Sequence, residues 1–166
     1  MPANLQEALK EVMRAYPQGV TVVTTNHHGV LEGITISSFT SVSLHPPLVL
    51  IAIAKGANNH DVFTGSEEFA ISVLAADQAP LSDRFAGRVD HAHRFEGLDL
   101  IYDTQGSPIV RGAIAYIECA TRRVHDEGDH SVIIGEVLNA KKLSDAFPLV
   151  YRNQQYTTIQ PPRPAV

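Results

Sequence analysis

The chain has 166 residues, with 13 Lys and Arg against 18 Asp and Glu and a formal net charge of -5. Its basic residues are scattered, which argues against a nucleic acid or an anionic membrane surface as partner, and no apolar run approaches the ~20 residues that span a bilayer. The single cysteine, Cys119, excludes an internal disulfide or a multi-cysteine metal cluster.

The length suits one domain, expected over residues 1–160 with a tail at 161–166. The opening residues MPANLQEALKEVMRAY show neither a basic leader nor an apolar signal core, so a cytoplasmic protein is expected. Leu5, Ala8, Leu9, Val12 and Met13 recur at helical spacing from a cap at Asn4, and Pro17 and Gly19 end the pattern; a short helix packed on the domain is predicted. The run Val20 to Thr25 has strand composition, and NHHG (26–29) supplies a hairpin turn into Val30.

From Gly33 to Leu44, hydroxyl side chains alternate with Ile34, Ile36, Phe39, Val42 and Leu44, too apolar for a linker and too polar for a plain core strand. Pro46 and Pro47 then introduce the apolar run Leu48 to Ile53, short enough to be a buried strand. AKGANNHDVF follows as a loop leading to a short helix near Phe63, and Phe69, Ile71, Val73 and Leu74 alternate as a strand. A helix is predicted from about Pro80, and AGRVDHAHRFEGL (86–98) reads as a surface loop or lid.

The rest is β-rich. Short strands are expected at 100–102 and 109–110, a long strand from Ala113 to Val124 that buries Cys119, and a return strand from Ser131 to Leu138 across the turn DEGDH. Leu149 to Tyr151 and Tyr156 to Ile159 are expected to close the sheet. Many strands with few, short helices do not fit a strand–helix repeat, so a mainly β, antiparallel barrel-like domain with a few short peripheral helices is predicted.

No nucleophile elbow, phosphate-binding loop, dinucleotide fingerprint or zinc-protease motif occurs. His27 with His28 reads as an exposed turn, and His91 with His93 lacks a third metal ligand. In Gly128–Asp129–His130, the aspartate is placed to orient the histidine toward a pocket or simply to complete a turn. The hydroxyls of 35–43 suit the carbonyls and ring nitrogens of a planar heterocycle, or else face solvent on an edge strand; the pattern alone does not choose. Arg84 and Arg88, four apart, suit a diphosphate or nearby carboxylates.

GITISSFTSVSLHPPLVLIAI (33–53), DRFAGR (83–88), ECATRRVHDEGDHSVIIGEV (118–137) and PLVY (148–151) together resemble the flavin reductase domain family, the small reductase components of two-component flavin-dependent monooxygenases. The resemblance implies an antiparallel split β-barrel that forms a homodimer with flavin near the subunit interface. It sets Thr35, Ile36, Ser37, Ser38 and Phe39 around the flavin ring and Ser41, Val42 and Ser43 beside its edge or ribityl chain. Ala52, Lys55, Asn58 and Asn59 fall toward ribityl or phosphate groups, with Phe85 and Arg88 near the cofactor. His130 is implied at the nicotinamide as the catalytic position, with Tyr151 or Tyr156 on the same side.

The implied reaction is hydride transfer from NADH or NADPH to FMN or FAD, with reduced flavin passing to a separate oxygenase. NADH is the expected donor, since no basic cluster for a 2′-phosphate is evident in the sequence. A non-enzymatic flavin carrier and a split-barrel flavin-dependent oxidase or oxygenase are the alternative readings.

Overall fold

A computed structural model describes residues 4–88 and 93–159. The predicted first helix is α1, Leu5–Ala15, and the Asn4 side chain caps it by accepting from the Glu7 N–H at 2.9 Å. None of its residues is buried, against the expectation that its apolar stripe packs on the domain; Leu5, Leu9 and Val12 stay exposed.

Seven strands form one antiparallel sheet: β2 (Thr21–His27), β3 (Val30–Ile36), β4 (Phe39–Leu44), β5 (Pro47–Ala54), β6 (Glu68–Val73), β9 (Ala115–Glu127) and β10 (His130–Lys142). Their order is β3-β2-β6-β9-β10-β5-β4, so the two edges, β3 and β4, are consecutive in the chain and separated only by Ser37 and Ser38. A two-residue link cannot reach across a flat sheet of seven strands spaced at about 4.8 Å. The sheet therefore curls until its edges nearly meet, without pairing them. Ser38 extends the β4–β5 ladder into the link, its Oγ donating to the Ala52 carbonyl at 2.6 Å and its own carbonyl accepting from Ala52 N–H at 3.1 Å.

Strand β2 explains why Val20 to Thr25 reads as a continuous run rather than an alternation. Thr21 through Thr25 are all buried, because the strand has a core on each face. Val23 joins Ile36, Ile51, Ile53, Phe63, Phe69, Cys119 and Ile133 inside the curl. Its neighbour Val22 points the other way, to Val20, Leu74, Phe85, Val110 and Leu149. Burial, with the Glu118 charge, pushes the Cys119 thiol up to about 12, the inert buried cysteine expected.

Covering the second core are α3 (Ala79–Asp83), a π-turn over Arg84–Arg88 and the small hairpin β7 (Leu100–Tyr102) with β8 (Pro108–Val110). α2 spans His60–Gly65. Two expectations change. β11 (Leu149–Arg152) and β12 (Gln155–Thr158) do not close the main sheet but join β1 (Gln18–Gly19) in a separate three-stranded sheet. In the predicted surface lid Arg94 and Phe95 turn inward, Arg94 being 7% exposed and Phe95 stacking edge-on against Phe85 at 5.1 Å. The tail at 161–166 and His91 lie outside the described residues.

Candidate functional site

At and just past the C-terminal end of β3, side chains reach two other elements. Thr35 Oγ1 donates to the Ser82 carbonyl on α3 at 2.7 Å, and Ser37 Oγ donates to Gln18 Oε1 on β1 at 3.1 Å. The Tyr156 hydroxyl on β12 lies 2.9 Å from Ser82 Oγ and 2.8 Å from Asp83 Oδ1, which ties the small sheet to α3. Between these elements is a cavity of about 640 Å³ lined by Thr35, Ile36, Ser37, Asp83, Ala86 and Tyr151, among others. Tyr151 meets Tyr156 edge-on at 5.5 Å and forms the aromatic side of the wall.

A second cavity of about 300 Å³ shares Thr35 and Ala86 with the first and continues past Phe85 and Gly87 to Gly56, Asn58, Asn59 and Arg94. Gly33 makes its floor possible. A Cβ there would stand 2.5 Å from Phe85 Cε1 and 3.1 Å from Phe95 Cζ. The Gly33 carbonyl accepts from Asn59 Nδ2 at 3.1 Å and from Arg94 Nη1 at 3.2 Å, both residues being buried. A guanidinium, an amide and loop backbone around one small cavity form a donor set suited to an anion, whereas the larger cavity offers hydroxyls, amides and rings.

The predicted site residues thus divide. Thr35, Ile36, Ser37, Asn58, Asn59, Phe85 and Tyr151 line these two joined cavities. Ser38 and Ala52 bond to each other beside them. Ser41, Val42 and Ser43 lie on the edge strand β4, where a bulge between Ser41 and Ser43 leaves Val42 unpaired and exposed. Lys55 is not among the lining residues; its Nζ donates to the Gly128 carbonyl at 2.8 Å and pairs with Asp126, pinning the loop after β5 to the β9–β10 turn. The Arg88 side chain lies outside the described part of the chain. Arg84 donates to the His93 and Glu96 carbonyls, so it organises the 93–96 segment instead of facing a diphosphate or a carboxylate.

His130 faces Ala54 across the β5–β10 ladder, two residues or about 7 Å along the strand from the Ala52–Val132 pair. Its Nδ1 is 2.7 Å from Asp129 Oδ1, and that hydrogen bond, with the imidazole and Lys55 charges, holds the Asp129 carboxyl below its usual range. The aspartate thus holds the histidine, but the ring lines neither cavity, so only the contact half of that sequence reading is seen. Another contact was hidden by sequence distance: His60 Nε2 is 2.9 Å from Ser131 Oγ and its Nδ1 2.9 Å from Asp61 Oδ1, fixing the start of α2 against β10. Arg94, Gln154 and Gln155 are lining residues that sequence reasoning missed, because each belongs to a polar segment with no local signature. Among the described residues no three His, Cys, Asp or Glu side chains converge as metal ligands, and no helix is long and apolar enough to cross a membrane.

An antiparallel sheet curled edge to edge, with a hydroxyl-bearing seam opening onto a polar and aromatic cavity, defines a class, and the sequence comparison agrees. Residues 13–160 match the family described as "Flavin reductase like domain", and the chain belongs to that family. It is 42% identical over 144 residues to the FMN reductase (NADH) SmoA of Agrobacterium fabrum, covering 87% of this chain and 80% of that one. To the flavin-dependent monooxygenase reductase subunit HsaB of Rhodococcus jostii it is 36% identical over 152 residues, 92% of this chain and 77% of the relative. The crystallised NADH:FAD oxidoreductase SgcE6 of Streptomyces globisporus, in complex with NAD and FAD fragments, superposes with a TM-score of 0.87 at 35% identity, over 97% of this chain and 96% of that one.

Proposed function

We propose that this chain is an NAD(P)H-dependent flavin reductase that supplies reduced FMN or FAD to a separate oxygenase. The observation that carries the reading is the pair of joined cavities, which gathers residues from β3, the loop after β5, the π-turn and the β11–β12 hairpin in a member of the flavin reductase family. Their donor set fits a flavin nucleotide. The larger cavity has the volume and the mixed hydroxyl and aromatic lining of a ring site, and the smaller has Asn58 and Arg94 for a ribityl phosphate. When bound, the flavin supplies an N5 that accepts hydride from C4 of the reduced nicotinamide.

The protein's part is positional. Thr35 and Ser37 hold the seam wall rigid through Ser82 and Gln18, Phe85 backs it from the core, and Tyr151 shields it from water. His130, held by Asp129, orients the nicotinamide from the β10 side. Such work needs alignment and exclusion of water more than a strong acid or base.

A homodimer would complete the site. The outer face of β5 and β10 carries Leu48, Leu50, Ala52, Ala54, Val132 and Ile134, apolar yet only half-buried, because the inward positions Val49, Ile51, Ile53 and Ile133 take the core. A second copy seated on this face would enclose Ser41, Val42, Ser43, Ala52 and His130, five of the predicted residues outside the two cavities. Sedimentation or light scattering tests the dimer. The activity is tested by mixing purified protein with NADH or NADPH and with FMN or FAD under anaerobic conditions and following flavin absorbance. Reduction well above the uncatalysed mixture is expected; no acceleration with any pairing overturns the reading.

A further inference from the structure

A third cavity, of about 320 Å³, lies between α1 and the β11–β12 turn and is lined by Lys10, Arg14, Arg152, Tyr151 and Gln154, among others. Tyr151 and Gln154 also line the large cavity, so the two form one trough. The chain carries a net charge of -5, yet three cationic side chains and no carboxylate line this end of the trough. Lys10 is joined to Glu7 at 2.9 Å on the helix surface, which leaves the two guanidiniums as the undiluted positive charge.

The local backbone is arranged around these cations. Asn153 and Gln154 form a two-residue turn with φ of 50° and 61°, a left-handed conformation that suits Asn and is uncommon for Gln. Strain of this kind persists where the surroundings over-determine it. Here the Gln154 side-chain carbonyl, in the amide orientation that satisfies its neighbours, accepts from Arg14 Nε at 2.9 Å and Nη2 at 3.3 Å. Arg152 Nε donates to the Ala15 carbonyl at 3.1 Å, and Asn153 N–H to the Arg14 carbonyl at 2.8 Å. Each guanidinium is thus fixed through Nε, with other N–H groups left to meet a ligand.

We propose that this groove holds the phosphates of the pyridine dinucleotide, whose nicotinamide end reaches the flavin ring in the large cavity. The inference rests on the flavin reductase reading and adds a phosphate subsite outside the residues implied by the family motifs. The chemistry recognised is a pyrophosphate, or the 2′-phosphate of NADPH. The ribityl phosphate, which FMN and FAD share, is placed at the small cavity, so neither flavin reaches the groove.

The test compares the wild-type chain with Arg14→Ala/Arg152→Ala, with Arg152→Lys, and with Lys141→Glu, outside the groove lining, as a control of equal charge change. Equilibrium dissociation constants are measured for NAD+, NADP+, FMN and FAD. Two exposed charge contacts together correspond to about 5- to 20-fold in affinity, so the double variant is expected to lose that much for NAD+ and NADP+. FMN and FAD binding stays unchanged, and Arg152→Lys, which keeps the charge without the Nε–Ala15 bond, largely retains affinity. Loss confined to NAD+ and NADP+ is the expected result; loss confined to FAD overturns the proposal. The proposal is overturned if all four ligands bind the double variant as they bind wild type, or if Lys141→Glu loses as much. A wild-type chain that binds no flavin instead overturns the reductase reading itself, an outcome separate from any variant effect.

Discussion

Replacing Gly33 with Ala places a methyl group 2.5 Å from Phe85 Cε1 and 2.7 Å from Cδ1, with Phe95 Cζ at 3.1 Å. Phe85 is 1% exposed and backed by Phe95, so its ring has nowhere to swing. To regain ordinary carbon contact it must retreat by roughly 1 Å, or β3 must bow outward by as much. Overpacking of this size costs about 1–3 kcal/mol. For a chain of this length that corresponds to a fall in Tm of about 3–10 °C. The displaced ring also carries Ala86 and Gly87, which line the small cavity, and the Gly33 carbonyl anchors Asn59 and Arg94. Flavin affinity is therefore expected to fall about tenfold, the scale set by misplacing a binding wall by an ångström.

Thermal melts and flavin fluorescence quenching measure the two effects. Gly135→Ala is the control. Its Cβ would stand 2.6 Å from Phe69 Cζ and 3.0 Å from Cys119 Cβ, a comparable clash inside the other core. It is expected to lower Tm similarly while leaving flavin affinity in place. Unchanged Tm and flavin affinity in Gly33→Ala would refute the close-approach argument, and equal loss of flavin by both variants would show that general destabilisation is responsible.

His130→Ala is expected to raise KM for the nicotinamide donor about tenfold with little change in flavin dissociation constant, since the ring lies on the β10 side and outside the two cavities; an unchanged donor saturation curve removes that role. Removing His60 leaves the Ser131 hydroxyl, 5% exposed as a residue, without its ring partner, so His60→Ala should cost about 1–3 kcal/mol by chemical denaturation. Adding Ser131→Ala should cost little more; fully additive losses in the double variant rule out the coupling. With its thiol pushed up to about 12, Cys119 is on the order of one part in ten thousand thiolate at pH 8 and should not react with a disulfide reagent until the chain unfolds. The raised value also sets a sign: the unfolded thiol ionises first, so the protein loses stability as pH rises past about 9, and a flat alkaline stability profile contradicts it.

How much of this was legible beforehand differs by element. Strands β2, β5 and β6 and the β9–β10 pair follow from local pattern, because alternation, paired prolines and Gly-bearing turns are written within a few residues of each other. Nothing local marks the break at Ser37–Ser38 that divides the strand expected through the serines into β3 and β4. What joins β1 to β11, or Thr35 to Ser82, is written nowhere locally. The apolar stripe of α1 predicted burial, but amphipathicity says only that a face wants cover, not that this chain provides it. Arg94 and Phe95 looked like parts of a polar loop because their inward turn depends on Gly33 and Phe85, far upstream. The three cations at the third cavity escaped notice for the same reason: Lys10 and Arg14 precede Arg152 by nearly the whole chain. Resemblance to a family supplied the site residues that spacing left undecided, and the geometry then separated those at the cavities from those on the outer sheet face.

The Ser37–Ser38 seam has one further consequence. Because the two sheet edges are spliced by two residues, one of them tied to Ala52 on β5, that side of the cavities widens only by uncurling the sheet. It behaves as a fixed jaw. A reductase that hands its flavin on after each cycle must then open from the opposite side, where the β11–β12 hairpin is latched to α3 through the Tyr156 hydroxyl and the 93–96 segment is latched by Arg84.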